Sequence, residues 1–127
     1  MQEPLVRILY VEDDPDIQIV AKLALQTIGG FTLQVASSGS EALESVEAFR
    51  PQLILLDVMM PGMDGPATLD ALRTRGVTVP VVFMTAKVQP QEVLHYRELG
   101  AVDVISKPFD PMALSDQVRD SWGKAAG

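Results

Sequence analysis

The chain contains no cysteine, which excludes a disulfide framework, a thiolate metal site and a cysteine nucleophile. It also lacks a long apolar run: no segment approaches the roughly 18 to 20 apolar residues of a membrane span. The N-terminus MQEPLVRILYVEDD carries acid where a signal peptide needs a basic start and a longer apolar stretch. A cytoplasmic protein with no membrane association is expected. Lysine and arginine are sparse and unclustered, 10 against 17 acidic residues for a net charge of -7. Direct nucleic-acid binding is therefore not expected, because its main affinity term comes from neutralising phosphates. The only histidine, His95, lies in the polar helical stretch QEVLHYRELG. It reads as a surface residue and not as a phosphodonor, since a histidine-kinase dimerisation module and ATP-binding motifs are absent. Long linkers, repeats and low-complexity tracts are absent too. A single domain over 1–127 is expected, ordered from about 5 to 122, with GKAAG (123–127) as a loose tail.

What is present is a core. With 47% hydrophobic residues in 127, the chain is large enough to fold without staples. The runs VRILYV (6–11), LILL (53–56), VPVVFM (79–84) and VDVIS (102–106) are short, rich in Val and Ile, and bounded by turn residues. They predict buried parallel strands, and the more alternating FTLQVA (31–36) predicts an edge strand. Between them apolar residues recur at helical spacing, as in Ile17, Val20, Ala21, Ala24, Leu25 and Ile28, then Ala42, Leu43, Val46 and Phe49. Asp14-Pro15 predicts an N-cap with an N1 proline, and Gly29-Gly30 a stop. Ser40 is expected to cap the second helix, Pro66 to open the third and Leu99-Gly100 to close the fourth. Asp110-Pro111 repeats the cap signal for a last helix striped by Leu114, Val118 and Trp122. Alternating strands and helices imply an α/β fold, an open parallel sheet with helices on both faces.

In such folds ligands bind beyond the carboxyl ends of the strands, where strand order reverses. The predicted strands end in Glu12-Asp13-Asp14, Asp57, Thr85-Ala86 and Ser106-Lys107-Pro108. Several carboxylates, a hydroxyl and an ammonium would thus meet on one rim. Asp57 is the residue that needs explaining, because four large apolar residues run straight into it and ionised Asp is rarely buried unpaired. Two carboxylates about 5 Å apart repel by roughly 3 kcal/mol at an effective dielectric of 20, so a cation must offset the cluster. Hard oxygen ligands without thiolate or imidazole suit Mg²⁺. Thr85 and Lys107 are donors suited to a phosphoryl group. Asp57, at the centre, is the natural nucleophile, since a carboxylate can form an aspartyl phosphate.

ILYVEDD, PQLILLDVMMPGMDG, VVFMTAK and GAVDVISKPF occur in one order and spacing over nearly the whole chain. With these four motifs it resembles the response-regulator receiver domains of two-component signalling. The resemblance implies a flavodoxin-like, doubly wound sheet of five parallel strands in the order 2-1-3-4-5. It implies that Asp57 is the phosphoacceptor, that Asp13 ligates Mg²⁺ directly with Glu12 acting through water, and that the Met59 carbonyl is a further ligand. Thr85 and Lys107 would then hold the phosphoryl group, and Lys107-Pro108 would be a cis peptide. Asp14 falls outside the metal pair and reads as a helix cap. Met59 and Lys87 occupy positions that, in the family, influence how long the phosphoryl group survives. Ala86, Val104 and Pro108 mark the switch, and the usual aromatic residue of that switch is replaced here by Val104.

The function so implied is a phosphoacceptor switch in a phosphorelay rather than an enzyme. A histidine kinase or histidine phosphotransfer protein would donate to Asp57. The responding face, about Gln89 to Trp122, would meet a target protein or a second copy. No output domain is expected in this chain, which reads as a stand-alone shuttle or a piece of a larger regulator; Met1 just before the first strand favours the former. Two alternatives belong to other classes. A haloacid-dehalogenase-like phosphatase wants a second acid two residues past its nucleophile, where Met59 stands. A contact-only pseudo-receiver would be favoured by loss of an acidic or lysine position, and none is lost. A flavin-binding protein of similar fold is disfavoured, because no Ser/Thr/Gly-rich phosphate loop follows the first strand.

Overall fold

The structure, a computed structural model, describes residues 2–126. Strands β1 (Arg7–Val11), β2 (Thr32–Ala36), β3 (Leu53–Asp57), β4 (Val81–Thr85) and β5 (Asp103–Ser106) alternate with helices α1 (Pro15–Lys22), α2 (Gly39–Phe49), α3 (Gly65–Thr74), α4 (Pro90–Glu98) and α5 (Leu114–Ala126). The strands form one parallel sheet in the order β2-β1-β3-β4-β5, as the four motifs imply, with β2 at an edge. The chain leaves β1 toward β2 on one side and returns to place β3 on the other. A crevice therefore opens beyond the carboxyl ends of β1 and β3.

Every residue of β3 and of β4 is buried, which is why those stretches read as continuous apolar runs rather than alternating ones. The period of two still sorts their side chains between two cores. Leu9, Val11, Ile54, Leu56 and Phe83 pack with α2, α3 and Tyr96 of α4. On the other face Ile8, Tyr10, Leu53, Leu55, Met84 and Ile105 pack with Ala21 of α1, with Leu25 just after it, and with Leu114 and Val118 of α5. Continued past the strands, the second series reaches Glu12, Asp57 and Lys107.

Several boundaries differ from expectation. After Lys22, residues Leu23–Ile28 form a π-helical turn, with the Gly29 N–H donating to the Ala24 carbonyl at 3.1 Å. Ser38 rather than Ser40 caps α2, its hydroxyl accepting from the Glu41 N–H at 3.1 Å, because the chain leaves β2 extended and turns there. Asp64 caps α3 and leaves Pro66 in its first turn. Asp110 accepts from the Met112 N–H at 2.9 Å and organises a turn, so that α5 begins only at Leu114. At the other end α5 runs to Ala126, where a loose tail was expected from 123. Lys124 donates to Asp103 at 3.1 Å, and lysine and alanine favour helix, so the last turn holds. Met1 and Gly127 lie outside the described residues.

Candidate functional site

The crevice is built by three strand ends on the α1/α5 side. Glu12 follows Val11 of β1 and is 2% exposed; Asp57 closes β3 and is 3% exposed. Lys107, just past β5, joins them: its ammonium donates to Glu12 Oε1 at 2.8 Å and to Asp57 Oδ1 at 3.1 Å. Asp13 stands exposed at the mouth. One ligand oxygen each from Glu12, Asp13 and Asp57 lie within 4.8 Å of one another. Three carboxylates against one ammonium leave an excess of two negative charges, and no cation pairs with Asp13 among the described residues.

The charges perturb one another. Burial raises the Glu12 pKa against the opposing Lys107 hydrogen bond, and the neighbouring Asp57 adds to the rise. Burial works against the Lys107 ammonium, but its hydrogen bond to Glu12 and the charge of Asp57 outweigh it and hold that pKa above the ordinary lysine range. At Asp13 desolvation and the adjacent Glu12 push the carboxyl up. Such a set is poised to take up a cation, and oxygen-only ligands fit a hard divalent ion such as Mg²⁺. The second oxygen of Asp57 accepts no hydrogen bond among the described residues. Since no fully buried polar side-chain atom there lacks a partner, that oxygen keeps some contact with solvent.

The remaining predicted residues lie on the neighbouring strands and loops, Val104 on the opposite face of the sheet. Thr85 ends β4, 2% exposed, and its hydroxyl accepts from the Lys87 N–H at 3.1 Å. Ala86 and Pro108 are exposed, and Lys107-Pro108 is cis. Met59 is 67% exposed on the loop after Asp57. Val104 pairs in register with Phe83 and is half-buried against the core that includes Tyr96. Outside it, a groove of about 310 Å³ runs between α4 and α5, lined by Val88, Val93, Val104, Ile105, Gln117 and Lys124. Asp14 is a cap, accepting from the Asp16 N–H at 2.9 Å. An apolar groove of about 260 Å³, lined by Ile17, Val20, Pro108 and Phe109, opens beside the rim.

Three supporting residues were not singled out from the sequence. Gln18 of α1 donates to the Glu12 carbonyl at 2.6 Å and to Ser37 at 3.1 Å, pinning the β1 loop. Gly65 lies where a Cβ would stand 2.8 Å from the Asp57 carbonyl oxygen and from the Val58 Cα. Only glycine lets α3 start there, and the Gly65 N–H donates to the Val58 carbonyl at 2.9 Å, closing the Met59 loop. Its position eight residues after Asp57 was the available signal. The third, Tyr10, places its hydroxyl 3.4 Å from Glu12 Oε1; the signal was its spacing of two from Glu12 on a strand.

The response regulator receiver domain profile matches residues 8–119. The chain belongs to that family. Among its relatives, the DNA-binding response regulator MtrA of Mycolicibacterium smegmatis is 42% identical over 113 residues, covering 89% of this chain and 49% of that protein. The transcriptional regulatory protein CseB of Streptomyces coelicolor is 39% identical over 112 residues, covering 88% and 47%. The receiver domain thus spans about half the length of these curated relatives. The solved chemotaxis response regulator CheY4 of Vibrio cholerae superposes with a TM-score of 0.84 at 27% identity, covering 93% of this chain and 99% of that one. The Francisella response regulator 1452 receiver domain gives 0.84 at 27%, covering 94% and 98%.

Proposed function

We propose that this receiver domain is a phosphoacceptor switch in which Asp57 takes a phosphoryl group from a partner's phosphohistidine. The observation that carries the reading is the ammonium of Lys107 held between two buried carboxylates, one of which keeps an oxygen that accepts no hydrogen bond among the described residues. In the transfer the free oxygen of Asp57 attacks phosphorus in line with the departing imidazole nitrogen. The P–N bond breaks as the P–O bond forms. Lys107 turns its donors to the phosphoryl oxygens, and Thr85 gives up its contact with Lys87 to donate as well. Asp13, Asp57 and the Met59 carbonyl would hold Mg²⁺, with Glu12 acting through water. When bound, the ion neutralises charge on the transferring oxygens and aligns them. The chain supplies orientation and charge, and the transfer modifies the domain itself, so we class it as a switch rather than an enzyme.

The added charge then biases the α4/β5/α5 face, from about Gln89 to Trp122, toward a target protein or a second copy. Val104, which lines the groove between α4 and α5, stands in place of an aromatic ring, so the response rests on Thr85 and its loop. The relatives named as DNA-binding are about twice as long. This domain, at net charge -7, supports contacts with proteins and not with DNA. Intact mass after incubation with acetyl phosphate tests the reading. One Mg²⁺-dependent phosphoryl adduct, absent from Asp57→Asn, is expected; a folded protein that stays unmodified by both acetyl phosphate and phosphohistidine donors would instead be a contact-only module.

A further inference from the structure

Tyr10 has no part in the transfer described above, yet it is a core side chain that reaches the site. It is fully buried in the apolar cluster shared by β1, α1 and α5. Its hydroxyl has one hydrogen-bond partner among the described residues, Glu12 Oε1 at 3.4 Å. That is loose for a phenol, which normally closes to about 2.7–2.8 Å on an oxygen acceptor. The same Glu12 oxygen also accepts from the Lys107 ammonium at 2.8 Å. Two donors converge on one atom, and the lysine holds the closer position.

The arrangement changes when Lys107 turns to a phosphoryl group. Glu12, 2% exposed, then loses its tight donor, and a buried carboxylate oxygen left bare is strongly unfavourable. Tyr10 is the one other protein donor within hydrogen-bonding reach of Oε1 among the described residues. We propose that Tyr10 is a positioning residue whose hydroxyl closes onto Glu12 Oε1 as Lys107 leaves, holding that carboxylate in place and freeing the lysine to move. The proposal rests on the roles given above to Asp57 and Lys107. A phenol, with an ordinary pKa of about 10, is protonated at neutral pH and so can donate. Phenylalanine would fill the same space and lose only the donor.

Two measurements decide it. Tyr10→Phe is made in the wild-type and Lys107→Met backgrounds, and all four proteins are unfolded in urea without Mg²⁺. The tyrosine hydroxyl should matter little where Lys107 is present and clearly more where it is not. In parallel, Mg²⁺-dependent binding of beryllofluoride, a phosphoryl mimic, should weaken about ten- to hundredfold in Tyr10→Phe alone, the effect of one hydrogen bond to a charged acceptor. Equal midpoint shifts in both backgrounds, with unchanged beryllofluoride affinity, overturn the proposal. The urea comparison needs no phosphoryl group, so it judges Tyr10 even if Asp57 accepts none. Should Lys107→Met not fold, the ζ-carbon NMR resonance of Tyr10 in the wild type replaces it. That resonance must shift when beryllofluoride binds, and a static one refutes the exchange.

Discussion

Lys107→Met removes the cation that Glu12 and Asp57 share. At 2.8 and 3.1 Å, an effective dielectric of 20 gives attractions of about 6 and about 5 kcal/mol. Desolvation of an ammonium whose side chain is only 18% exposed offsets much of this. Removing one partner from such a buried set typically leaves a net loss of about 3–5 kcal/mol, because the stranded carboxylates then repel without compensation. With a urea slope of about 2 kcal/mol per molar, the unfolding midpoint should fall by about 2 M. Mg²⁺ should restore part of the loss and stabilise the variant more than the wild type, since the carboxylates no longer share their charge with an ammonium. At ten times its dissociation constant the ion adds about 1.4 kcal/mol. Urea melts of both proteins, with Mg²⁺ and with chelator, provide the assay. A loss below about 0.5 kcal/mol would mean that the pair behaves as a solvated surface contact, and the reasoning on the site's charge would be wrong.

Other perturbations separate neighbouring roles. Asp14→Ala should lower stability by about 1 kcal/mol through loss of its cap and leave phosphorylation intact, whereas Asp13→Asn should keep the fold and lose Mg²⁺ binding by calorimetry. Gly65→Ala should destabilise by about 1–3 kcal/mol in thermal melts, because the new Cβ meets backbone that cannot give way. Asp103 is desolvated, but hydrogen bonds from Ser121, the Val104 N–H and Lys124 outweigh burial and hold its pKa below the usual value. The unfolded state therefore binds its proton first. The stabilisation is complete above the ordinary Asp pKa of about 4 and is lost as pH falls through the lower folded value. Asp103→Asn should flatten that acid limb of stability against pH.

The strand cores were legible in the sequence because a parallel sheet covered on both faces demands unbroken runs such as Leu53 to Leu56. Asp57 stood out for the same reason, as a charge placed where burial was already implied. What periodicity could not show was the hydrogen bonding around it. The π-helical turn at Leu23–Ile28 keeps its apolar residues near the spacing of an ordinary helix, so only the bonding pattern betrays it. Ser38 and Ser40 are chemically equal caps, and the exit angle of β2 decides between them. Asp110 offers a cap signal that serves a turn as well as a helix. Tyr10 reads as one more strand residue until the carboxyl ends of β1 and β5 are brought to one rim and its hydroxyl is seen to share an acceptor with Lys107.

The central claim is that Asp57 receives the phosphoryl group. The direct measurement is to incubate the protein with Mg²⁺ and a phosphorylated histidine donor, trap any acyl phosphate with borohydride, and map the reduced residue by peptide mass. Conversion of Asp57 to homoserine, dependent on both donor and Mg²⁺, is the predicted result. Reduction at Asp13 or Glu12 instead, or none in a folded sample with a donor shown to be charged, would contradict the account.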